Sequence, residues 1–94
     1  MDEKTLQNHI ERLRATYLSG KTKEIPWRRS QLLALQRMFN ERAPEFEAAM
    51  KLDLHKSTFE CYATEIGFLL RETGHALEHL EHWAEPLKTG SPVF

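Results

Sequence analysis

The sequence predicts an all-α chain of about four helices, with a long fourth helix. Three observations carry this. Apolar residues recur at three- and four-residue spacing through four separate stretches. The breaks between those stretches hold helix stop and start signals. No stretch shows a convincing strand alternation of apolar and polar residues.

The first helix is expected from about Glu3 to Leu18, with Leu6, Ile10, Leu13 and Tyr17 on one stripe. Gly20 stops it, since glycine enters the left-handed conformation at little cost. Pro26 suits the first turn of a second helix, where its missing N–H would be unpaired anyway. That helix carries Leu32, Leu35, Met38 and Phe39 on one side, with Leu33 flanking them. In "NERAPEF", Ala43 precedes proline, which disfavours helical dihedrals. Pro44 then opens a third helix, with Phe46, Ala49 and Met50 facing inward and an end near "LDLHK".

Ser57-Thr58-Phe59-Glu60 has the form of a capping box. A long fourth helix is expected from there to about Trp83, with Tyr62, Ile66, Leu69, Leu70, Leu77 and Leu80 as its apolar residues. Gly67 and Gly74 inside it each cost about 1 kcal/mol relative to alanine. They imply a close approach or a bend. The tail "LKTGSPVF" is extended, and its end on two apolar residues after a turn signal reads as a chain entering its next element.

Composition narrows the function. The 94 residues suit one small domain, taken as a single helical segment over 1–94. Hydrophobic content of 40% and charged content of 29% fit a folded rather than a disordered chain. Thirteen basic and fourteen acidic residues give a net charge of -1, which argues against a nucleic-acid binder. The local cluster Lys21, Lys23, Arg28 and Arg29 reads as a solvated linker and first helical turn. One cysteine excludes an intrachain disulfide and suits a reducing compartment. No apolar run approaches the roughly 20 residues a membrane span needs, and the charged N-terminus lacks a secretory signal. The expectation is a cytoplasmic protein without membrane or nucleic-acid partners.

Gly20-Lys21-Thr22 matches the end of a phosphate-binding P-loop. The motif needs an earlier glycine where Ala15 stands, and it must follow a strand. A helix precedes it here, so Gly20 is read as the helix stop.

Four further groups could carry chemistry. His75, His79 and His82 in "HALEHLEHW" fall within roughly 60° of one another on one helix face. Two imidazoles at i, i+4 can share a zinc ion. An outward stripe on a convex helix offers no dry pocket, so a solvated face is the preferred reading and no metal ligand is assigned. Cys61 and Phe68 fall on the same outer face, which implies that the helix is covered on both sides in its complete context. Cys61 has no neighbouring base or oxyanion donor and reads as a structural thiol. Asp53 and His55 read as a helix end, with Asp53 and Ser57 capping and His55 and Lys56 meeting the helix dipole. Trp27 and Trp83 read as core or hinge packing. No catalytic, cofactor-binding or metal residue is assigned.

The order of blocks says more than any single site. Ser19-Gly20-Lys21-Thr22 is followed by the Arg28/Arg29 start with Leu32-Leu35-Met38. Then come "DLHKS" from Asp53 to Ser57, Glu65-Ile66, and Leu80 with Trp83 before Pro86. Together these blocks resemble the N-terminal segment of an aldehyde dehydrogenase of the class 3-like branch. The resemblance covers nearly the whole chain and is weakest before Leu13.

That resemblance implies a longer parent enzyme that oxidises aldehydes to carboxylic acids with NAD or NADP. In such enzymes a cysteine thiolate attacks the aldehyde, hydride passes to the nicotinamide, and a glutamate-activated water releases the acid. It also implies a Rossmann-like cofactor domain, a homodimer, and N-terminal helices that form a packing layer around that domain. The family's glycine motif, general-base glutamate and nucleophilic cysteine match no position in these residues, and Cys61 is not in the nucleophile motif. These residues are therefore expected to bind no cofactor and to show no activity alone. The competing expectation is a free-standing helical module that binds a partner through the basic linker or the Phe68/His75/His79 face. A small zinc protein is a remote third.

Overall fold

The computed structural model describes residues 1–92. Four helices in sequence order build it, with no strand among the described residues. Helix α1 spans Glu3–Leu18. Asp2 caps it: the carboxylate accepts from the Thr5 N–H at 2.7 Å, which holds the Asp2 carboxyl below its usual range. Gly20 lies at φ +79°, and its N–H donates to the Tyr17 carbonyl at 3.1 Å. This is the left-handed helix stop that the sequence implied, followed by one 3-10 turn over Lys21–Lys23.

Helix α2 spans Ile25–Glu41 with Pro26 in its first turn. A single residue, Arg42, separates it from α3 over Ala43–Leu54, where Pro44 again occupies the first turn. His55 ends α3 at φ +56°, in the left-handed region that histidine enters more readily than most residues. Its N–H donates to the Lys51 carbonyl at 3.0 Å, and the Lys56 N–H donates to Met50 at 3.4 Å. The pair closes the exposed carbonyl end of α3.

Helix α4 runs without interruption over 58–83 and contains one irregular turn. It starts as α-helix over Thr58–Cys61, widens to a π-helix over Tyr62–Ile66, and continues as α-helix over Gly67–Trp83. The Ser57 hydroxyl accepts from the Glu60 N–H at 3.1 Å, so the Ser57 half of the capping box forms. Ser57→Ala is expected to lower stability by about 1 kcal/mol, read as a shift of the urea midpoint of far-UV helicity.

The widened turn sets the core. The Gly67 N–H reaches back five residues to the Tyr62 carbonyl. In an α-helix, residues five apart point about 140° away from each other. In the π turn they come back onto one face. Cys61 and Ile66, five apart, are both buried, at 0% and 2% exposure. They meet Phe39 of α2, with Ala43, Phe46, Met50 and Leu70 packed around them. The Phe39 and Phe46 rings lie 5.5 Å apart and tilted.

Four expectations are corrected, the first two by this register. Cys61 lies in the core rather than on the outer face, because a regular 100° step per residue misplaces everything before the π turn. Tyr62 is 56% exposed rather than part of the core stripe. Its ring instead lies beside Gly67, where an added Cβ would sit 3.0 Å from Tyr62 Cε1. Leu69, Leu35 and Met38 are each exposed. In α3 the inward positions are Ala43, Phe46 and Met50, while Ala49 is exposed.

The remaining packing joins α2 to α4. Arg29 Nη1 donates to the Leu77 carbonyl at 3.2 Å, and Nη2 pairs with Glu81 at 3.1 Å. Arg28 Nε holds the Thr22 carbonyl at 2.8 Å and so fixes the linker against α2. These two arginines are structural clasps rather than members of a solvated basic cluster. Lys21 lies 6.0 Å over the Trp27 ring.

No residue of α1 is buried. Its stripe is uncovered, with Leu6 at 51%, Leu13 at 71% and Tyr17 at 62% exposure. The helix stands away from the rest, and the radius of gyration is 19.0 Å. A globular chain of this length has about 12 Å. Val93 and Phe94, where the tail was expected to enter a strand, lie outside the described residues; 86–92 form no regular element.

Candidate functional site

The chemistry-bearing side chains gather at the C-terminal half of α4. His75, His79 and Trp83 follow one another at four-residue steps and so share a face. The His75 and His79 rings lie 4.2 Å apart, and the Trp83 ring is 5.4 Å from each, stacked on His79 and edge-on to His75. His79 Nδ1 lies 2.9 Å from the His75 carbonyl. Glu78 completes a cluster in which His75, Glu78 and His79 each bring one donor atom within 4.8 Å of the others.

The sequence stripe thus assembles only in part. His82 does not join His75 and His79; its Nδ1 lies 3.6 Å from a Glu85 carboxylate oxygen. Glu78 takes the third place. Three residues after His75 and one before His79, it had a readable signal in the same i, i+3 spacing. Trp83 is 57% exposed and belongs to this surface ladder, not to the core.

The other candidates separate. The Cys61 thiol is buried beside Phe39 and Ile66, consistent with a structural rather than a nucleophilic role. It is expected to resist a thiol reagent in the native chain and to react fully once urea unfolds it. Phe68 is 51% exposed, on the surface as expected. Lys56 turns from the dipole of α3 to α4, where its Nζ meets Glu65 at 2.7 Å and the Thr64 hydroxyl at 3.2 Å. The Glu65 bond holds the Lys56 ammonium above its usual pKa. The DLHKS and Glu65-Ile66 blocks are therefore joined physically: one carries the lysine, the other its carboxylate and the core isoleucine. Trp27 and Leu32 of α2 and Leu80 of α4 line an open apolar groove. Among the described residues no helix is long and apolar enough to cross a membrane.

Comparison with known proteins gives these blocks a context. No protein-family profile matches the chain, and no solved structure matches it significantly. Several curated proteins do. "Aldehyde dehydrogenase family 3 comG" of Dictyostelium discoideum is 42% identical over 81 residues, 86% of this chain and 17% of that protein. "Aldehyde dehydrogenase family 3 member A2" of Pongo abelii is 38% identical over 85 residues, 88% of this chain and 18% of its own length. "Aldehyde dehydrogenase, dimeric NADP-preferring" of Canis lupus familiaris is 36% identical over 81 residues, 84% and 18% respectively. The chain spans less than a fifth of these relatives.

An all-helical chain with these ordered blocks is thus an aldehyde dehydrogenase-type segment. More particularly, it corresponds to the N-terminal segment of the class 3 branch, family 3.

Proposed function

We propose that this chain is part of an enzyme that oxidises aldehydes to carboxylic acids with NAD or NADP. Its own contribution is a helical packing layer over the cofactor domain, without a catalytic, cofactor-binding or nucleophilic residue. The observation that carries the reading is α1. An amphipathic helix is stabilised mainly by packing its apolar face, and this one leaves Leu6, Leu13 and Tyr17 in water. The relatives are several times longer, so the missing cover is the remainder of such an enzyme. Similarity to a dimeric, NADP-preferring aldehyde dehydrogenase supports a homodimeric parent; a small aldehyde as its substrate and a cytoplasmic location belong to the same proposal.

Reconstitution tests this. The chain is mixed with the Dictyostelium family 3 relative from which the matching segment has been deleted. Stable association, protection of α1 amides from exchange, and NAD(P)H formation from an aldehyde only in the mixture are the expected results. Aldehyde oxidation by the 94-residue chain alone would place the chemistry in the wrong residues.

A further inference from the structure

We propose that α4 carries a surface site for a borderline divalent transition-metal ion, held by His75, Glu78 and His79 and walled on one side by Trp83. This goes beyond the enzyme reading and does not depend on it. It also departs from the sequence reading of these histidines as a merely solvated face.

Four observations converge. The three donors occupy i, i+3 and i+4, one face of one rigid helix, and one donor atom of each lies within 4.8 Å of the others. Donors about 2.0–2.1 Å from a shared metal stand roughly 3 Å apart, so closure needs only adjustment of side chains at the surface. The second observation is the tautomer of His79. A carbonyl only accepts, so the 2.9 Å approach of Nδ1 to the His75 carbonyl places the ring proton on Nδ1. Nε2 is left with its lone pair free to coordinate. That Nδ1–H bond to a backbone carbonyl is the support that metal-binding imidazoles ordinarily have.

The third observation is Trp83. Its ring at 5.4 Å from both imidazoles limits their rotation and shields one side of the site. The fourth is charge. Between residues 71 and 85 stand Glu72, Glu78 and Glu85, besides the Arg29-paired Glu81, against the single cation Arg71. Arg29, which reaches this helix from α2, is already engaged by Glu81 and the Leu77 carbonyl. The surroundings therefore favour a cation.

Two imidazoles and a carboxylate suit copper, nickel or zinc rather than calcium or magnesium, with Cu2+ the tightest. Three protein donors leave coordination positions open to water.

The test is a titration of the purified full chain with Cu2+, followed by tryptophan fluorescence, with far-UV circular dichroism to confirm that each variant remains helical. Quenching that saturates at one equivalent is expected. Trp83→Phe should remove most of the quenching while leaving the binding stoichiometry by electron paramagnetic resonance unchanged. His75→Ala and His79→Ala should each weaken binding at least about tenfold. His82→Ala, which the sequence spacing places on the same stripe, should change it less than about twofold. The resonance spectrum of bound Cu2+ should show nitrogen coupling from two imidazoles. Unsaturable quenching, quenching unaltered in both His75→Ala and His79→Ala, or a requirement for His82 would each overturn the assignment.

Discussion

Phe39→Ala removes about 3–5 kcal/mol from the folded chain. Among the described residues Phe39 is one of three buried apolar residues, at 8% exposure, and it joins all three packed helices: it belongs to α2, packs at a tilt against Phe46 of α3, and meets Cys61 and Ile66 of α4. Its loss leaves Cys61 and Ile66 facing a cavity, with only the partly buried Ala43, Phe46, Met50 and Leu70 around them. Whole domains are stable by about 5–15 kcal/mol, and a core this small lies at the low end. The substitution should therefore abolish cooperative urea unfolding followed by circular dichroism. Leu13→Ala on α1 provides the contrast. Leu13 is 71% exposed, so its loss should change the stability of the chain alone by less than about 0.5 kcal/mol. The same change should weaken reconstitution with the truncated relative, where the proposed packing would cover that stripe.

Gly67→Ala and Gly74→Ala should shift stability in opposite directions. Helix propensity alone favours alanine by about 1 kcal/mol at both positions. At Gly74 an added Cβ meets nothing within 4 Å, so that gain is realised. At Gly67 the same atom would stand 2.7 Å from the Tyr62 carbonyl oxygen and 3.0 Å from its ring. The carbonyl belongs to the π turn and accepts from the Gly67 N–H, so it cannot move aside without breaking that bond. Overpacking of this kind costs about 1–3 kcal/mol, enough to outweigh the propensity gain. If the turn relaxed to a plain α-helix, Cys61 and Ile66 would no longer share a face, and the core would open. The urea midpoint should fall for Gly67→Ala and rise for Gly74→Ala. Equal shifts in one direction would mean that the wide turn is not built around Gly67.

These two glycines also show where the sequence was legible. Every helix start, and the end of α1, had a local chemical cause: Asp2 and Ser57 as caps, Gly20 in the left-handed region, Pro26 and Pro44 in first turns. Such signals act over a few residues and can be read one at a time. The π turn cannot. Its only trace is a glycine inside a helix, which a bend or a neighbouring helix would equally explain. Missing it misplaces Cys61 and Tyr62 together, since one extra residue in a turn rotates all that precedes it. At the candidate site, regular spacing identified the His75–His79 pair but added His82. Circular projection puts His82 on the same stripe as His75 and His79, but its imidazole turns to Glu85 instead. Arg29 was unreadable for another reason. Its partners are 48 and 52 residues away, and only the pairing of α2 with α4 brings them together.

The uncovered stripe of α1 and the family 3 relatives lead to one central claim, that these residues work as a layer of a larger enzyme. The most direct measurement is the mass of the native protein in its source cells, detected with an antibody raised against the α1 stripe and the DLHKS block. A species several-fold heavier than 11.0 kDa, carrying aldehyde-dependent NAD(P)H formation when immunoprecipitated, is the predicted result. A species near 11.0 kDa without that activity would contradict the claim and leave a free-standing helical module with a binding partner for α4.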